Sequence, residues 1–413
     1  MTAATTLQGS LFARVLDPAN RPDPYPLYAR LRESPVSRQD DDTHVVSTYA
    51  EIAALLHDPR ISSDERKSAR GAGALVASGR LSPEGQAGNP PFIFRDPPDH
   101  DRLRRIVMRQ FTPQRIAALH DRVARLVAGL LDAKRGGDRL DVVADLAYPL
   151  PVTVICELLG VPREDEPRFH VWASALARSL DPAQGMSEDE IREAIEAAMQ
   201  MLGYLGGLIA ARRAEPGDDL LSGLVAGGDP AERMDEQDLL RTTALLLIAG
   251  HETTVNLIAN GILTLLRHPD ALDRLRHEPD FVIPLTEELL RYEPPVQFRT
   301  RTTLAEIGVA GATIPRGATV VLLLASGSRD PARFPDADRF VPDRSDNAHL
   351  GFGGGIHYCV GAPLARMEAH IALSALARRL VAPRLLADPP PYRENASLRG
   401  PARLPVGFER LAD

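Results

Sequence analysis

The chain has 413 residues and a formal net charge of −8; 44% of its residues are hydrophobic and 25% are charged. This composition is ordinary for a soluble globular protein, and the acidic balance excludes nucleic acid as a main partner. Its two cysteines, Cys156 and Cys359, exclude a disulfide-stapled scaffold and a four-cysteine zinc site. The longest apolar runs, 244–249 and 320–325, are too short to span a membrane, and no signal peptide is apparent. We therefore expect a cytoplasmic protein.

Helical periodicity dominates the chain as far as residue 292. We predict helices over 24–33, 49–57, 99–110, 112–135, 146–159, 163–179, 187–213, 235–267 and 284–292. Residues 61–95 interrupt this pattern. They are rich in Gly, Ser and Pro, which predicts a long irregular loop with room for one short helix, and loops of this length often line binding sites.

The predicted helix over 235–267 contains no proline, and its middle is apolar on nearly all sides. A helix of this kind belongs in the centre of a large protein.

The C-terminal part follows a different pattern. Short strands joined by turns are predicted over 307–309, 312–314, 315–317 and 318–325. An irregular segment over 329–350 and a glycine-dense segment over 351–361 then lead to a helix over 362–381. No linker composition separates independent domains, so we expect a single domain over 1–413.

The sharpest local signal is the segment FGGGIHYCVG at 352–361. Its glycines allow the backbone to pass against a flat ligand and leave amides free to bond to the sulfur of Cys359, which stabilises a thiolate and tunes a bound metal. A helix that begins just after the cysteine adds to this effect. The bland alternative is an inert buried cysteine in a glycine loop. Nucleotide-binding glycine motifs do not fit, because position 358 is not glycine and no Gly-Lys-Ser/Thr is present.

This segment resembles the haem-binding signature of the cytochrome P-450 family, the haem-thiolate monooxygenases. Three further motifs agree in order and spacing: AGHETT at 249–254 resembles the family's oxygen-activation motif, ELLR at 288–291 its Glu-x-x-Arg motif, and DRF at 338–340 its meander arginine motif. The resemblance spans roughly residues 20 to 410. It implies a mainly α fold with a smaller β region around 296–325, and haem b between the long central helix and the cysteine loop.

The resemblance also implies which residues bind the cofactor. Cys359 would be the proximal iron ligand, and four basic residues would bind the haem propionates, namely His100, Arg104, Arg299 and His357. Further haem contacts would come from Ala249, Gly250, Phe352, Gly353 and Gly361. Each basic residue alone could equally be a solvated surface charge. Cys156, in an apolar run, is interpreted as a small core residue.

Thr253 and Glu252 are the expected catalytic residues. Thr253 resembles the residue that donates a hydrogen bond to the oxygen being activated, and Glu252 would relay protons from solvent. The bland alternative for Thr253 is a hydrogen bond back to the carbonyl of Ala249. The small Ala249 and Gly250 would admit oxygen and substrate and permit a local widening of the helix. A His-Glu-x-x-His zinc motif is excluded, because Val255 stands at the second histidine position.

Glu288 and Arg291 are three residues apart and share a helix face. Alone they could be an exposed pair worth a few tenths of a kcal/mol. The resemblance instead implies a buried network, completed by Arg339, that fixes the segment beneath the haem; Arg344 is an alternative third member. This network is structural.

The expected activity is insertion of one oxygen atom from O2 into a small-to-medium hydrophobic substrate. The pocket is expected to be lined by the loop over 61–95 and by Leu245, Leu246, Ala249, Val296 and Phe298, which suggests an apolar ligand. Peroxide-driven chemistry, oxidative coupling and a non-catalytic haem sensor are the alternatives.

The chain ends soon after the haem domain, so electrons are expected from a separate ferredoxin and its reductase. Arg102, Arg105 and Arg109 fall on one stripe of the helix over 99–110, which we expect to dock an acidic ferredoxin. A solvated charged face is the alternative. No membrane contact is expected, and the protein is expected to be monomeric.

Overall fold

The computed structural model describes residues 10–69, 71, 90–178, 187–227 and 233–413. The short helix allowed within 61–95 lies mostly outside the described residues. On either side of that gap, 3₁₀ turns cover Glu65–Lys67 and Phe92–Phe94.

Helices make up most of the described chain. In order they are α1 (Leu11–Leu16), α2 (Tyr25–Arg32), α3 (Tyr49–His57), α4 (Asp99–Met108), α5 (Pro113–Asp132), α6 (Pro149–Leu158), α7 (Glu166–Arg178), α8 (Glu188–Ala214), α9 (Leu220–Ala226), α10 (Glu236–Arg267), α11 (Pro269–His277), α12 (Val282–Tyr292), α13 (Leu324–Ser328) and α14 (Ala362–Arg379).

Two of the predicted helices begin at a side-chain cap in the structure. The side chain of Thr112 accepts a hydrogen bond from the amide of Arg115 (3.3 Å) and Pro113 occupies the first turn of α5. Asp235 caps α10 in the same way by accepting from the amide of Asp238 (2.6 Å). Both predicted boundaries hold to within a few residues.

The strands are short. They are β1 (Val36–Arg38), β2 (His44–Val46), β3 (Ile61–Ser62), β4 (Arg139–Asp141), β5 (Arg299–Thr303), β6 (Ile307–Val309), β7 (Ala312–Ile314), β8 (Thr319–Leu322), β9 (Leu380–Val381), β10 (Arg384–Leu385), β11 (Pro405–Gly407) and β12 (Arg410–Leu411). The largest sheet has the order β1-β2-β8-β5-β3, in which β2 and β8 are parallel and the other pairs are antiparallel.

Three predicted elements differ from the structure. The helix expected over 146–159 is preceded by a π-helical segment, Val143–Ala147, and α6 begins only at Pro149. The strand expected over 318–325 ends at Leu322, and the chain turns into α13. Residues 315–317 form a turn between β7 and β8, because Gly317 has a φ angle of +79°.

The core is organised around α10. Its middle is buried on most sides, and it packs against α6, α14, α8 and α7. Two smaller apolar clusters lie elsewhere, one joining α1 and α2 to Phe298 and the other filling the space between the large sheet and α3. The prediction of a central buried helix is therefore confirmed.

One helix of the described residues is long and apolar enough to cross a membrane by length and composition. It is the part of α8 from Ile191 to Ala214, of which 33% of the relevant window is buried. This is weak evidence for a membrane span, because α8 packs against α7, α9 and α10 as a helix of a folded protein does.

Candidate active site

Cys359 lies in a tight loop that ends at the first turn of α14. Its amide donates a hydrogen bond to the carbonyl of Phe352 (3.1 Å), and the amide of Gly353 donates to the carbonyl of Leu350 (2.8 Å). The guanidinium of Arg366 covers the Phe352 ring at 4.6 Å from its centre. The loop thus fixes the sulfur at the N-terminus of an 18-residue helix.

Two glycines of this loop are required by its backbone. Gly353 and Gly355 have φ angles of +71° and +62°, a region that side chains disfavour. Gly355 also lies against α3, where a Cβ atom would come within 2.1 Å of the Leu56 carbonyl oxygen. Gly361 has no such constraint, since its φ angle is −86° and a Cβ atom there would make an ordinary 3.9 Å contact with the sulfur. Gly361 instead contributes its backbone amide, which donates a hydrogen bond to the sulfur of Cys359.

Opposing effects act on the pKa of the Cys359 thiol. Desolvation is the largest and raises the pKa, whereas hydrogen bonds from the amides of Gly361 and Ala362 and the charges of Arg104 and Arg299 lower it. The side chain is exposed, so the sulfur is accessible to a ligand. An accessible sulfur that is met by donors and cations is suited to bind a metal as a thiolate.

The structure brings His100, Arg104 and His357 together beside this loop. The rings of His100 and His357 lie 4.2 Å apart, and Nη2 of Arg104 donates to the carbonyl of Tyr358 (2.7 Å). Burial lowers the pKa of both imidazoles, that of His357 to about 3. Nε2 of His100 and Nδ1 of His357 are buried without a hydrogen-bond partner in the described part of the chain. Two buried polar atoms without partners suggest a bound group with complementary atoms.

Strand β5 adds Arg299, and also Arg301, which the sequence analysis missed. The two side chains share one face because strand side chains alternate. Burial lowers the pKa of both guanidinium groups, that of Arg301 to about 10. The charge of Arg301 acts on His357 and that of Arg299 on Cys359, and neither forms an ion pair with a carboxylate of the described residues. The alternation Arg-Thr-Arg at 299–301 is the sequence signal that could have placed Arg301 on the same strand face as Arg299.

The expected oxygen-activation motif lies in α10. Thr253 donates its hydroxyl hydrogen to the carbonyl of Ala249 (2.8 Å), as the bland alternative predicts. Ala249 is exposed. Gly250 does not share that face, since the missing Cβ would lie 3.9 Å from Ile155 of α6. One residue turns the side-chain direction by about 100° around a helix, so a haem contact of Gly250 would come from its backbone and stays a prediction.

Helix α10 shows no widening at this motif. It is regular α-helix from Glu236 to Arg267. The π-helical segment Val143–Ala147 packs against it instead, and the ring of Tyr148 meets that of His251 edge-on at 4.5 Å between centres. The local widening that Ala249 and Gly250 would permit is thus absent from α10 in this structure, although a π-helical segment lies beside it.

Glu252 is 3% exposed and its Oε2 accepts a hydrogen bond from Nη1 of Arg393. Its other oxygen, Oε1, has no partner among the residues described. Burial raises the pKa of this carboxyl, against the opposing charge of Arg393. Arg393 was not predicted, because it lies 141 positions away and no local pattern marks it.

Glu288 and Arg291 form a fully buried ion pair with distances of 2.8 Å at both oxygens. Glu288 also accepts from the amide of Val341 (2.7 Å), and Arg291 donates to the carbonyls of three residues, namely Ser328, Ala337 and Arg339. The bland alternative of an exposed pair is wrong. With every hydrogen bond satisfied, the pair ties α12 to the segment that precedes the cysteine loop.

Two further side chains reach Glu288: Asn347 donates a hydrogen bond from Nδ2 to Oε2 (3.2 Å), and Arg344 adds a longer ion pair. Nε of Arg344 lies 3.5 Å from Glu288 Oε2, and its side chain is 8% exposed. The side chain of Arg339 is 75% exposed and faces Asp336 at 3.6 Å. The prediction of Arg339 as the third member is therefore wrong for its side chain; only its carbonyl takes part, because the backbone turns there.

The expected pocket residues divide into two groups. Leu245 and Leu246 are almost buried on α10, and Val296 is partly exposed, with a bridge to Leu398. Phe298 is 2% exposed and packs edge-on against Phe12 at 5.9 Å. The prediction that Phe298 lines the pocket is wrong, since its ring fills the N-terminal apolar cluster.

Comparison with known proteins agrees with this geometry. The cytochrome P450 family model matches residues 61–382. The chain is a member of the cytochrome P450 family. The family brings a haem cofactor bound through a thiolate, and Cys359 with its amide donors, the surrounding cations and the partnerless histidine nitrogens fits such a dianionic, metal-bearing group.

Relatives place the chain among bacterial monooxygenases. Cytochrome P450 monooxygenase PikC of Streptomyces venezuelae is 43% identical over 401 residues, 94% of this chain and 92% of that protein. The 6-deoxyerythronolide B hydroxylase of Saccharopolyspora erythraea is 37% identical over 398 residues, 94% and 96% of the two chains. The ligand-free crystal structure of Mycobacterium smegmatis CYP164A2 has a TM-score of 0.88 and 42% identity, covering 96% of this chain and 99% of that one. The chain is thus a P450 monooxygenase, and the predicted fold class is confirmed.

Proposed function

We propose that this monooxygenase inserts one atom of O2 into an apolar part of a small-to-medium hydrophobic substrate in bacterial secondary metabolism or catabolism. The observation that carries the proposal is the accessible sulfur of Cys359, met by the amides of Gly361 and Ala362 and flanked by the charges of Arg104 and Arg299. The hydroxylase and monooxygenase names of the relatives support the reaction class. Substrate, cofactor form and electron source are parts of the proposal.

The cofactor is proposed to be haem b, with Cys359 as its iron ligand. The two propionates would be held by the basic residues that cluster beside the cysteine loop, namely His100, Arg104, Arg299, Arg301 and His357. Propionate oxygens would also satisfy the buried histidine nitrogens. A thiolate-bound haem supplies electron density that favours O–O cleavage.

Proton delivery is assigned to Thr253 and Glu252. In the present arrangement the Thr253 hydroxyl gives its hydrogen to Ala249, so its oxygen retains acceptor capacity toward a proton donor. Glu252 holds one oxygen on Arg393 and leaves the other without a partner, and burial raises its pKa. A carboxyl group with a raised pKa and one unpartnered oxygen can act as a proton relay. Arg393 is the positioning residue that holds it.

Electrons are proposed to come from a separate ferredoxin and its reductase. Arg105 and Arg109 are exposed on α4, the helix that also carries Arg104 beside the cysteine loop, and Met108 between them is 41% exposed. Arg102, the third arginine expected to dock the ferredoxin, forms an ion pair with Asp238 at 3.0 Å and is not included in the proposed surface. Two arginines around an apolar side chain suit a weak, salt-sensitive complex with an acidic partner.

We also propose that the protein acts in the cytoplasm as a monomer. Its thiols support a reducing compartment: Cys156 is buried and Cys359 is the proposed metal ligand, and neither is in a disulfide.

The test reconstitutes the haem-loaded protein with ferredoxin, ferredoxin reductase and NADH, using a substrate found by a spectral screen of lipophilic compounds. Labelled O2 should place one label in the product, with NADH consumed in step with product. Turnover with peroxide alone would show a peroxide-driven enzyme, and a coupled product without label would show oxidative coupling. A thiolate haem spectrum without any turnover would leave a non-catalytic haem protein.

A further inference from the structure

Arg241 lies on the less buried face of α10, two helical turns before the oxygen-activation motif. Residues four, seven and eight positions further along a helix share a face with a given residue, which here means Leu245, Ile248 and Ala249. Arg241 and Ile248 are partly exposed and Ala249 is exposed. The face that carries the expected pocket residues thus ends in a cation.

The acidic side chain nearest in sequence is already neutralised. Asp238 Oδ1 accepts from Nη2 of the buried Arg95, and Asp238 Oδ2 lies 3.0 Å from Nη2 of Arg102. Arg66, whose charge also acts on Arg241, pairs with Asp64 at 2.8 Å. Positive charge is therefore in excess around Arg241.

Within the ranges that the structure describes, no hydrogen bond or ion pair engages the Arg241 guanidinium. Burial is the main influence on this group and lowers its pKa; the nearby charges of Arg95 and Arg66 act in the same direction, and those of Asp238 and Asp235 oppose it. A partly desolvated guanidinium in a cationic environment gains most from a carboxylate, which it can bind through two parallel hydrogen bonds.

The charges that act on Arg241 differ from those that act on the sulfur of Cys359. The charges that act on Arg241 belong to Arg66 and Arg95, which flank the gap in the loop over 61–95, and to two aspartates of its own helix region. The charges that act on Cys359 belong to Arg104 and Arg299. The charged neighbours of Arg241 are therefore not the cations that flank the sulfur.

We propose that Arg241 binds the carboxylate of the substrate, so that the substrates include amphipathic monocarboxylic acids whose apolar body runs along α10 toward Thr253. This inference rests on the proposed function, because it treats the Ala249 face as the substrate pocket. Arg241 and Ala249 are eight residues apart, about 12 Å along the axis at about 1.5 Å per residue. The oxidised carbon is therefore remote from the carboxylate. The expectation of an apolar ligand is thereby extended to a ligand with an apolar body and one charged end.

The experiment compares binding of dodecanoic acid, methyl dodecanoate and dodecylamine to the haem-loaded protein, by the substrate-induced change in the haem spectrum and by calorimetry. The wild-type protein should prefer the acid. Arg241→Gln should weaken the acid about tenfold or more, since a hydrogen-bonded charge is lost, and leave the ester unchanged. Arg241→Lys should recover part of the preference. Arg38→Gln, which removes an exposed arginine paired with Asp42 on β1, is the matched control and should change nothing.

The outcomes separate this inference from the proposed function. Equal affinity for acid and ester, no binding of any probe, or an unchanged acid affinity in Arg241→Gln would overturn the assignment. A protein that oxidises the ester but ignores the charge at position 241 would keep the monooxygenase proposal and lose this one. A protein that binds the acid through Arg241 but never oxidises any probe, with electron donors supplied, would keep the assignment of Arg241 and lose the monooxygenase proposal.

Discussion

The two cysteines differ in every property that governs thiol chemistry. Cys156 is fully buried in the main core, and desolvation raises its pKa to about 12, which makes it an inert apolar residue. Cys359 is exposed and receives two amide hydrogen bonds at a helix N-terminus. The glycine pattern around Cys359 was enough to distinguish the two from sequence.

Replacement of Thr253 by alanine tests proton delivery. Thr253→Ala should leave haem and substrate binding nearly intact, because the hydroxyl bonds only to the Ala249 carbonyl of its own helix. NADH should still be consumed, with hydrogen peroxide released in place of most of the product. Measured product per NADH and peroxide per NADH give the result.

Thr264→Ala is the matched control, since Thr264 makes the same type of bond to the Asn260 carbonyl (2.7 Å) further along α10. It should keep the coupling of the wild-type protein. Full coupling in Thr253→Ala would remove the hydroxyl from the mechanism and leave Glu252 as the remaining candidate.

Glu368 of α14 should make stability depend on pH. It is 2% exposed, its Oε2 has no partner among the described residues, and desolvation raises its pKa to about 8. Its ordinary pKa, expected in the unfolded chain, is 4.5. Between these two values the folded state holds a proton that the unfolded state has lost, so this contribution to stability falls as pH rises, by up to about 1.4 kcal/mol per pH unit.

Glu368→Gln removes that dependence. In urea unfolding, the free energy of unfolding of the variant should increase relative to that of the wild-type protein as pH rises from about 6 to about 8. Glu287→Gln should change stability in the opposite direction. Hydrogen bonds from Arg366 and His349 outweigh desolvation and lower the pKa of Glu287 to about 2. This variant should therefore lose a contribution to stability that the wild-type protein keeps until strongly acidic pH. A constant difference between Glu368→Gln and wild type over that range would contradict the buried, protonated state.

Residues within local motifs could be predicted at this scale, and residues that reach the site from elsewhere could not. His100 and His357 were placed by their motifs, and the structure brings them into contact. Arg393 approaches Glu252 through the fold, from a segment without regular structure, and no pattern in the sequence orients such a side chain. Arg344 could be named only as an alternative to Arg339, because both lie in one irregular segment.

At the scale of elements, long periodic helices and the local pair β6 and β7 could be predicted to within a few residues, and strands paired over long distances could not. The bounds of α3 were predicted to the residue and those of α10 to within one, because periodicity and caps act locally. The three-residue β2 is specified by its parallel partner β8, more than 270 positions later, which no local pattern encodes. The short helices α9 and α11 were missed for a similar reason, since each is held by packing.

Helix α4 carries the prediction on electron transfer. Arg105→Glu with Arg109→Glu reverses two exposed charges beside the cysteine loop. Ferredoxin-driven turnover should slow at low ionic strength and lose much of its salt dependence, because charges at the rim of a complex act mainly on the association rate. Substrate affinity and peroxide-supported turnover should stay the same. Stopped-flow reduction rates over a range of salt concentrations provide the measurement.

The exposed Arg38→Glu on β1 changes charge by the same sign and serves as the control for net charge. Unchanged kinetics in the α4 variant, or an equal effect in the control, would place the ferredoxin elsewhere.

The whole molecule contributes to the site through contacts between its two ends. Arg399 donates to the carbonyls of Arg21 (2.7 Å) and Pro22 (2.9 Å) and pairs with Glu293, which follows α12. The segment held in this way also contains Arg393, the partner of Glu252. The proposed proton relay therefore depends on the C-terminal segment and its anchoring, a dependence that only the folded chain reveals.

The central claim is that Cys359 binds the haem iron as a thiolate, and the absorption spectrum of the reduced carbon-monoxide complex tests it most directly. The wild-type protein and Cys156→Ser should both give the thiolate-type spectrum, because Cys156 lies in the core away from any ligand. Cys359→Ser should lose that spectrum together with monooxygenase activity. A thiolate-type spectrum that survives in Cys359→Ser, or disappears in Cys156→Ser, would contradict the account.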